Sequence, residues 1–185
     1  MMKQLAGKAL KDFLKSDDRP PIDVAIVLQD VADPVNVGAA FRISDACGAT
    51  ELVLTGLSPI PPDPTIHGVG RGTHRRVRWS YVKDASEALQ RLRGEGYACY
   101  ALEVSSNAMP YHEVEYPDKV CFVAGNEHHG VTNRTLAQCN GAIYIPMYGK
   151  IRSLNVHVAL AIVSYHALHR RRRPAEMGNT KAQLD

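Results

Sequence analysis

No Cys-x-x-Cys pair occurs in this chain, no apolar run is long enough to cross a bilayer, and several motifs that commonly mark an enzyme are missing. Cys47, Cys99, Cys121 and Cys139 are scattered and no secretory leader precedes them, which predicts free, mostly buried thiols and a cytoplasmic setting. The N-terminal MMKQLAGKALKDFLKSDDRPP alternates Lys with apolar residues but lacks a hydrophobic core and a small-residue cleavage site. It reads as a short amphipathic helix. The longest apolar stretch, near the C-terminus, is interrupted by His157 and Ser164, so a soluble protein with no membrane segment is expected.

The absent motifs narrow the chemistry. Without Gly-x-Ser-x-Gly, a Ser-centred hydrolase has little support. After DVAIVLQ comes DVADPVNVGAAFR, with one Gly where a dinucleotide fingerprint needs three. GVGRGTHRR, from Gly68 to Arg76, spaces its glycines as neither that fingerprint nor a P-loop. A mobile basic loop on an RNA backbone and a plain surface loop stand nearly level there, with Arg71, Arg75 and Arg76 favouring RNA. His128 and His129 are adjacent and point in different directions, His-Glu-x-x-His is absent, and no metal is expected. His166 and His169 read as ordinary helix-end residues.

What is present fits one domain: 185 residues can remove roughly 70% of their unfolded surface from water. The net charge of +3 is unevenly spread. Seven cations stand against three carboxylates between Thr65 and Glu95, and six cations against none between Lys150 and Arg173. Two basic zones point to a polyanionic partner such as nucleic acid, although a solvated helix end explains the arginine run at 170–173 equally well.

Short apolar runs alternate with helix-length segments. DVAIVLQ, ELVLTG, YACYALEV, KVCFVAG and AIYIPM read as strands buried on both faces, hence an α/β fold with a parallel sheet and helices on both faces. NVGAAFRISDAC should be a helix ended by Gly48, DASEALQRLRG one capped by Asp84, and TNRTLAQ one capped by Thr132 or Asn133. The last helix is expected to run from Ser153 to the arginines, with Pro174 closing it. It carries two apolar stripes: Leu154, Val158, Ile162, Tyr165 and Leu168 in one, Val156, Leu160, Val163 and Ala167 in the other. The second stripe needs another layer or another subunit, and a homodimer is expected. The resulting division is a helical extension at 1–22, a folded domain at 23–173 and a flexible tail at 174–185.

Three loops follow strands: Asp33 to Arg42, Gly125 to Gly130, and Ile145 through Asn155. Ligands of open α/β sheets bind beyond the carboxyl ends of strands, so these loops are candidates to meet at one pocket. Within them stand Asn36, Gly38 and Arg42; Gly125, Glu127 and Gly130; and Ile145, Pro146, Met147, Ser153, Leu154, Asn155 and Val156. In order and spacing, over about residues 23–171, these blocks resemble the three motifs of the SpoU (TrmH-type) branch of the SPOUT RNA methyltransferases. His157 stands where most members carry Ser, a swap similar to that in eukaryotic enzymes methylating a D-loop guanosine of tRNA.

The resemblance implies a SPOUT fold with a C-terminal trefoil knot, an obligate homodimer and S-adenosyl-L-methionine as cofactor. It implies that groups at Leu102, Gly125, Ile145, Met147, Leu154 and Asn155 hold that cofactor. It makes Arg42 the catalytic residue at a ribose hydroxyl, approaching the partner subunit's cofactor, with Asn36, Glu127, Ser153 and Asn155 completing the site. Arg71, Arg75, Arg76, Lys150 and Arg152 are the candidate RNA-binding residues.

Methyl transfer from a sulfonium is an in-line displacement, and alignment alone can contribute about 7 to 11 kcal/mol. Arg42 either loses its proton in a reorganised pocket or stays cationic and stabilises developing alkoxide charge; both readings stand. Ser153 is expected to cap the last helix, and Asn155 to orient Glu127 or the ribose. Only about twenty-two residues precede the first strand, too few for the extra RNA-binding domain of many ribosomal-RNA members. This favours tRNA and the guanosine at position 18, with ribosomal RNA, a wobble-position ribose and a non-catalytic RNA-binding module as the alternatives.

Overall fold

The computed structural model describes residues 3–14 and 20–170. The start of the chain forms a short helix, α1 (Gly7–Leu14), with Leu10 and Phe13 exposed. Residues 1–2 and 15–19 of the expected extension, residues 171–173 of the arginine run and the expected tail at 174–185 lie outside the described residues.

Every apolar run named above becomes a strand: β1 (Asp23–Gln29), β2 (Glu51–Thr55), β4 (Ala98–Leu102), β6 (Lys119–Ala124) and β7 (Gly141–Tyr144). Two strands escape that pattern, β3 (Trp79–Val82) and β5 (Met109–Pro110), because one mixes polar with aromatic residues and the other is only two residues long. The sheet is seven-stranded and parallel throughout, in the order β3-β2-β1-β6-β4-β7-β5. Helices α2 (Pro34–Cys47), α3 (Pro64–Gly70), α4 (Ala85–Gly94), α5 (Asn133–Leu136) and α6 (Val156–Arg170) complete the fold, with a 3-10 turn at Thr73–Arg75.

The pleat sorts the two cores. Val24, Ile26 and Leu28 of β1 lie beside Val120, Phe122 and Ala124 of β6 and join the cluster that holds Phe41 of α2 and Leu160 and Val163 of α6. The alternate residues, Ala25 and Val27 beside Cys121 and Val123, face the opposite cluster with Ala88, Leu89 and Leu92 of α4. Helices therefore cover both faces. Cys47, Cys99 and Cys121 are buried free thiols and Cys139 is half-buried. Among the described residues no helix is long and apolar enough to cross a membrane, and no cluster of His, Cys, Asp or Glu could hold a metal ion.

Caps set the helix boundaries. Asp33 accepts from Val35 N at the start of α2, and Gly48 at φ 65° ends it, while Asp84 accepts from Ser86 N and Thr132 from Thr135 N. The last helix departs from expectation. It starts at Val156 rather than Ser153, because the Asn155 side chain accepts from His157 N (3.1 Å) and its carbonyl accepts from Ala159 N (3.1 Å). Asn155 thus takes the capping role expected of Ser153. Leu160, Val163 and Ala167 are fully buried and Leu168 packs on the same core, whereas Leu154, Val158 and Tyr165 of the other stripe are exposed.

The Gly68–Arg76 stretch is also corrected. It is not a loop throughout: α3 runs to Gly70 and the 3-10 turn follows. Gly70 serves packing, since a Cβ on it would stand 3.1 Å from the carbonyl of Gly38 on α2, where a Cβ would in turn stand 2.9 Å from Val69 Cβ. The two helices meet backbone to backbone there.

Candidate active site

The chain runs outward from β1 through β2 to β3, then crosses to β4 and later inserts β6 between β1 and β4. The strand order reverses there, the place where open α/β sheets leave a crevice beyond their carboxyl ends. A cleft of about 530 Å³ opens beside it, at the ends of β4, β6 and β7. Leu102, Gly125, Ile145, Met147, Leu154 and Asn155, the six residues expected to hold a cofactor, all line it. Glu127, Arg152 and Ser153 line it as well. The Gly125–Gly130 loop is tight: a Cβ on Gly125 would overlap the Gly130 carbonyl carbon and Val131 N.

Glu127 is the polar hub. Its Oε1 accepts from Asn36 Nδ2 (2.7 Å) and Asp33 N (3.2 Å), and its Oε2 accepts from Ala32 N (3.1 Å). Burial opposes its ionisation, but the Asn36 amide and the backbone donors outweigh that effect and hold the carboxyl below its ordinary pKa of 4.5. Asn36 is buried, and its Oδ1 lies 3.0 Å from His157 Nδ1. Motif residues from three separate segments thus meet in one hydrogen-bonded chain.

Arg42 and most of the expected RNA-binding residues lie outside the cleft, Arg152 excepted. Arg42 is exposed on α2 and is not among the residues lining the cleft of the single chain. Arg76 pairs through two bonds with Asp45, Nε to Oδ1 at 3.3 Å and Nη2 to Oδ2 at 3.0 Å. Arg152 donates to the Met147 carbonyl at 3.1 Å, which folds the Met147–Arg152 loop back on itself. Arg71, Arg75 and Lys150 are exposed.

Two residues of this region escape the sequence reading. Glu103, just past the end of β4, lines the cleft; its Oε2 accepts from Val131 N (2.8 Å) and its Oε1 from Val104 N (3.0 Å). Gly130, at φ 64°, would place a Cβ against that carboxylate. Asn126 accepts from His128 N and His129 N and donates to the Asp30 carbonyl (2.7 Å), so it builds the turn that presents Glu127. The signal for Asn126 is its place inside Gly-x-Glu-x-x-Gly; nothing local marks Glu103.

Known proteins resemble this chain in sequence and fold. The tRNA (guanosine(18)-2'-O)-methyltransferase of Thermus thermophilus is 34% identical over 149 residues, 80% of this chain and 76% of that protein. The enzyme of the same name from Escherichia coli (strain K12) is 32% identical over 80% of this chain, which spans 64% of its length. Among solved structures, the A. aeolicus TrmH/SpoU tRNA modifying enzyme superposes with a TM-score of 0.73 at 29% identity, over 84% of this chain and 77% of that one. The pattern of the SpoU rRNA Methylase family matches residues 23–165, from the first strand through most of the last helix. Those residues include every strand end and loop that builds the cleft, and the chain is a member of that family.

Proposed function

We propose that the chain is an S-adenosyl-L-methionine-dependent RNA 2′-O-ribose methyltransferase acting on the D-loop guanosine at position 18 of tRNA. The observation that carries this reading is the cleft itself: it is lined from the second and third motif blocks, and the first block is bonded to it through Asn36 and Glu127. Its volume suits a nucleoside-sized ligand, and Leu102, Ile145 and Leu154 offer apolar walls beside the Glu103 carboxylate, an acceptor for hydroxyls, which together fit an adenosine with its ribose. When bound, S-adenosylmethionine supplies a methyl group activated by its sulfonium. Leu102, Gly125, Ile145, Met147, Leu154 and Asn155 would hold it.

The remaining work falls to side chains of this protein. Glu127 holds the N-terminus of α2 through Ala32 and Asp33, and so sets the direction of the helix that bears Arg42. Arg42 would meet the ribose 2′ oxygen from a second copy of the chain, either accepting its proton or stabilising the oxygen's developing charge. Asn36, Ser153 and Asn155 would complete the site around that oxygen. A homodimer is supported by the exposed apolar residues Leu154, Val158 and Tyr165, the last of which donates to the Ala46 carbonyl of α2. A trefoil knot in the C-terminal part belongs to the same proposal, and free thiols favour a cytoplasmic enzyme. Arg71, Arg75 and Lys150 are the proposed phosphate contacts, joined by Arg76 once it leaves Asp45 and by Arg152 beside the cleft.

Calorimetric titration with S-adenosylmethionine, followed by tritium transfer to unmodified tRNA, tests the assignment. Wild type should bind and transfer, and Arg42→Ala should bind without transferring. Binding without transfer in wild type would instead identify a non-catalytic RNA-binding module. Nucleoside-resolved mass spectrometry of the product places the methyl group, and a ribose methyl away from the D-loop guanosine would overturn the substrate.

A further inference from the structure

We infer that His157 is a positioning residue, which in a single tautomer fixes the Asn36 amide and through it the Glu127 carboxylate. The inference rests on the proposed methyltransferase reading only for its catalytic consequence; the hydrogen-bond chain stands apart from it.

The bonds determine one another in sequence. An ionised carboxylate only accepts, so the Asn36 atom 2.7 Å from Glu127 Oε1 must be the amide nitrogen. The Asn36 oxygen then faces His157 Nδ1 at 3.0 Å, and an oxygen there requires a proton on Nδ1. Nε2 is left as the acceptor of the neutral ring. The backbone that carries the imidazole is fixed as well, because His157 N donates to Asn155 Oδ1 in the first turn of α6. His157 is not among the residues lining the cleft, so it acts through Asn36 rather than on a ligand. The chain Asn155, His157, Asn36, Glu127, then the backbone of Ala32 and Asp33, ties the start of α6 to the start of α2, with His157 and Asn36 separated by 121 positions in the sequence. Asn36 is about 2% exposed, so water has little opportunity to replace the imidazole as the partner of its oxygen.

Two substitutions separate positioning from packing. Asn places an amide nitrogen where Nδ1 stands, and Gln places it nearer Nε2. His157→Asn should keep kcat within about threefold of wild type, while His157→Gln and His157→Leu should lower it roughly tenfold, the worth of one well-placed hydrogen bond. The affinity for S-adenosylmethionine, read by calorimetry, should stay within about twofold in all three, since the residue does not line the cleft. Equal kcat for the Asn and Gln variants would overturn the inference.

The second measurement needs no activity. Two-bond ¹H–¹⁵N correlation on protein labelled at histidine, recorded in alkaline buffer with the His157 signals assigned by their loss in His157→Asn, should show a neutral ring protonated at Nδ1. Conversion of that ring to the Nε2-protonated form in Asn36→Ala would show that Asn36 selects the tautomer. A wild-type ring protonated at Nε2 would overturn the inference even in an active enzyme. Wild-type protein that binds cofactor but methylates no RNA, yet shows the Nδ1 proton, would overturn the proposed function and leave the tautomer assignment intact.

Discussion

Glu127 takes one amide and two backbone N–H groups, and acid removes what they stabilise. Its folded pKa lies below the ordinary 4.5, so its contribution to stability is fully present above that value and disappears as pH falls through the lower folded value. Glu51 behaves alike: burial pushes it up, but hydrogen bonds from Arg91 and Ser80 bring its pKa below the same reference. Melting temperature should therefore fall below pH 4.5, and Glu127→Gln should show a shallower fall in the same buffers; an identical acid limb would mean that Glu127 carries none of it. The value of Arg42 lies in its planar fork of donors, which Lys lacks. Arg42→Lys should reduce methyl transfer by about a hundredfold or more while cofactor affinity in calorimetry is retained. Near-normal turnover would leave the guanidinium no special part.

At the level of elements, caps and close approaches decide more than propensity does. Asn155→Ala removes the cap of α6 and should cost about 0.5 to 2 kcal/mol in denaturant unfolding, whereas Ser153→Ala should cost less, because α6 begins at Val156. If the two variants proved equally destabilised, Asn155 would not be the cap. Gly38→Ala should cost about 1 to 3 kcal/mol, since its new methyl meets Val69 Cβ and the Ile66 backbone of a neighbouring helix. A variant as stable as wild type would show that α2 and α3 can separate freely. The long buried strands are legible in the sequence because β1, β2 and β6 carry unbroken apolar runs. Helix α3 is not, because glycines at 68 and 70 lower local helix propensity, and the Asp63 cap, the burial of Ile66 and the close contact of Gly70 with Gly38 on α2 offset that loss. The α6 boundary differs by three residues from its sequence expectation because Ser153 and Asn155 are both good caps and local sequence does not rank them.

Across the whole molecule, the separate motif blocks are readable in the sequence while their connections are not. Bonds such as Glu103 to Val131, Asn126 to Asp30 and His157 to Asn36 join positions far apart in the chain, and only the strand order brings them together. The basic zones are readable as composition, but Arg76 commits its charge to Asp45 and is a poorer candidate for RNA than Arg75, which is exposed. Arg75→Glu should weaken tRNA binding and lower the slope of log affinity against log salt by about 1, with cofactor binding unaffected. An unchanged slope would remove that arginine from the interface.

The interleaved strand order also governs when the molecule can first work. Strand β4 pairs only with β6 and β7, and β1 keeps one flank open until β6 arrives, so nothing emerging from the ribosome before Lys119 can close the sheet. A half-made polypeptide would present the unpaired backbone edge of β1, set between apolar side chains, to other nascent chains, a hazard that calls for a chaperone or rapid elongation. Because the cleft draws on β6, β7 and α6, truncated translation products would be inert toward RNA rather than partly active.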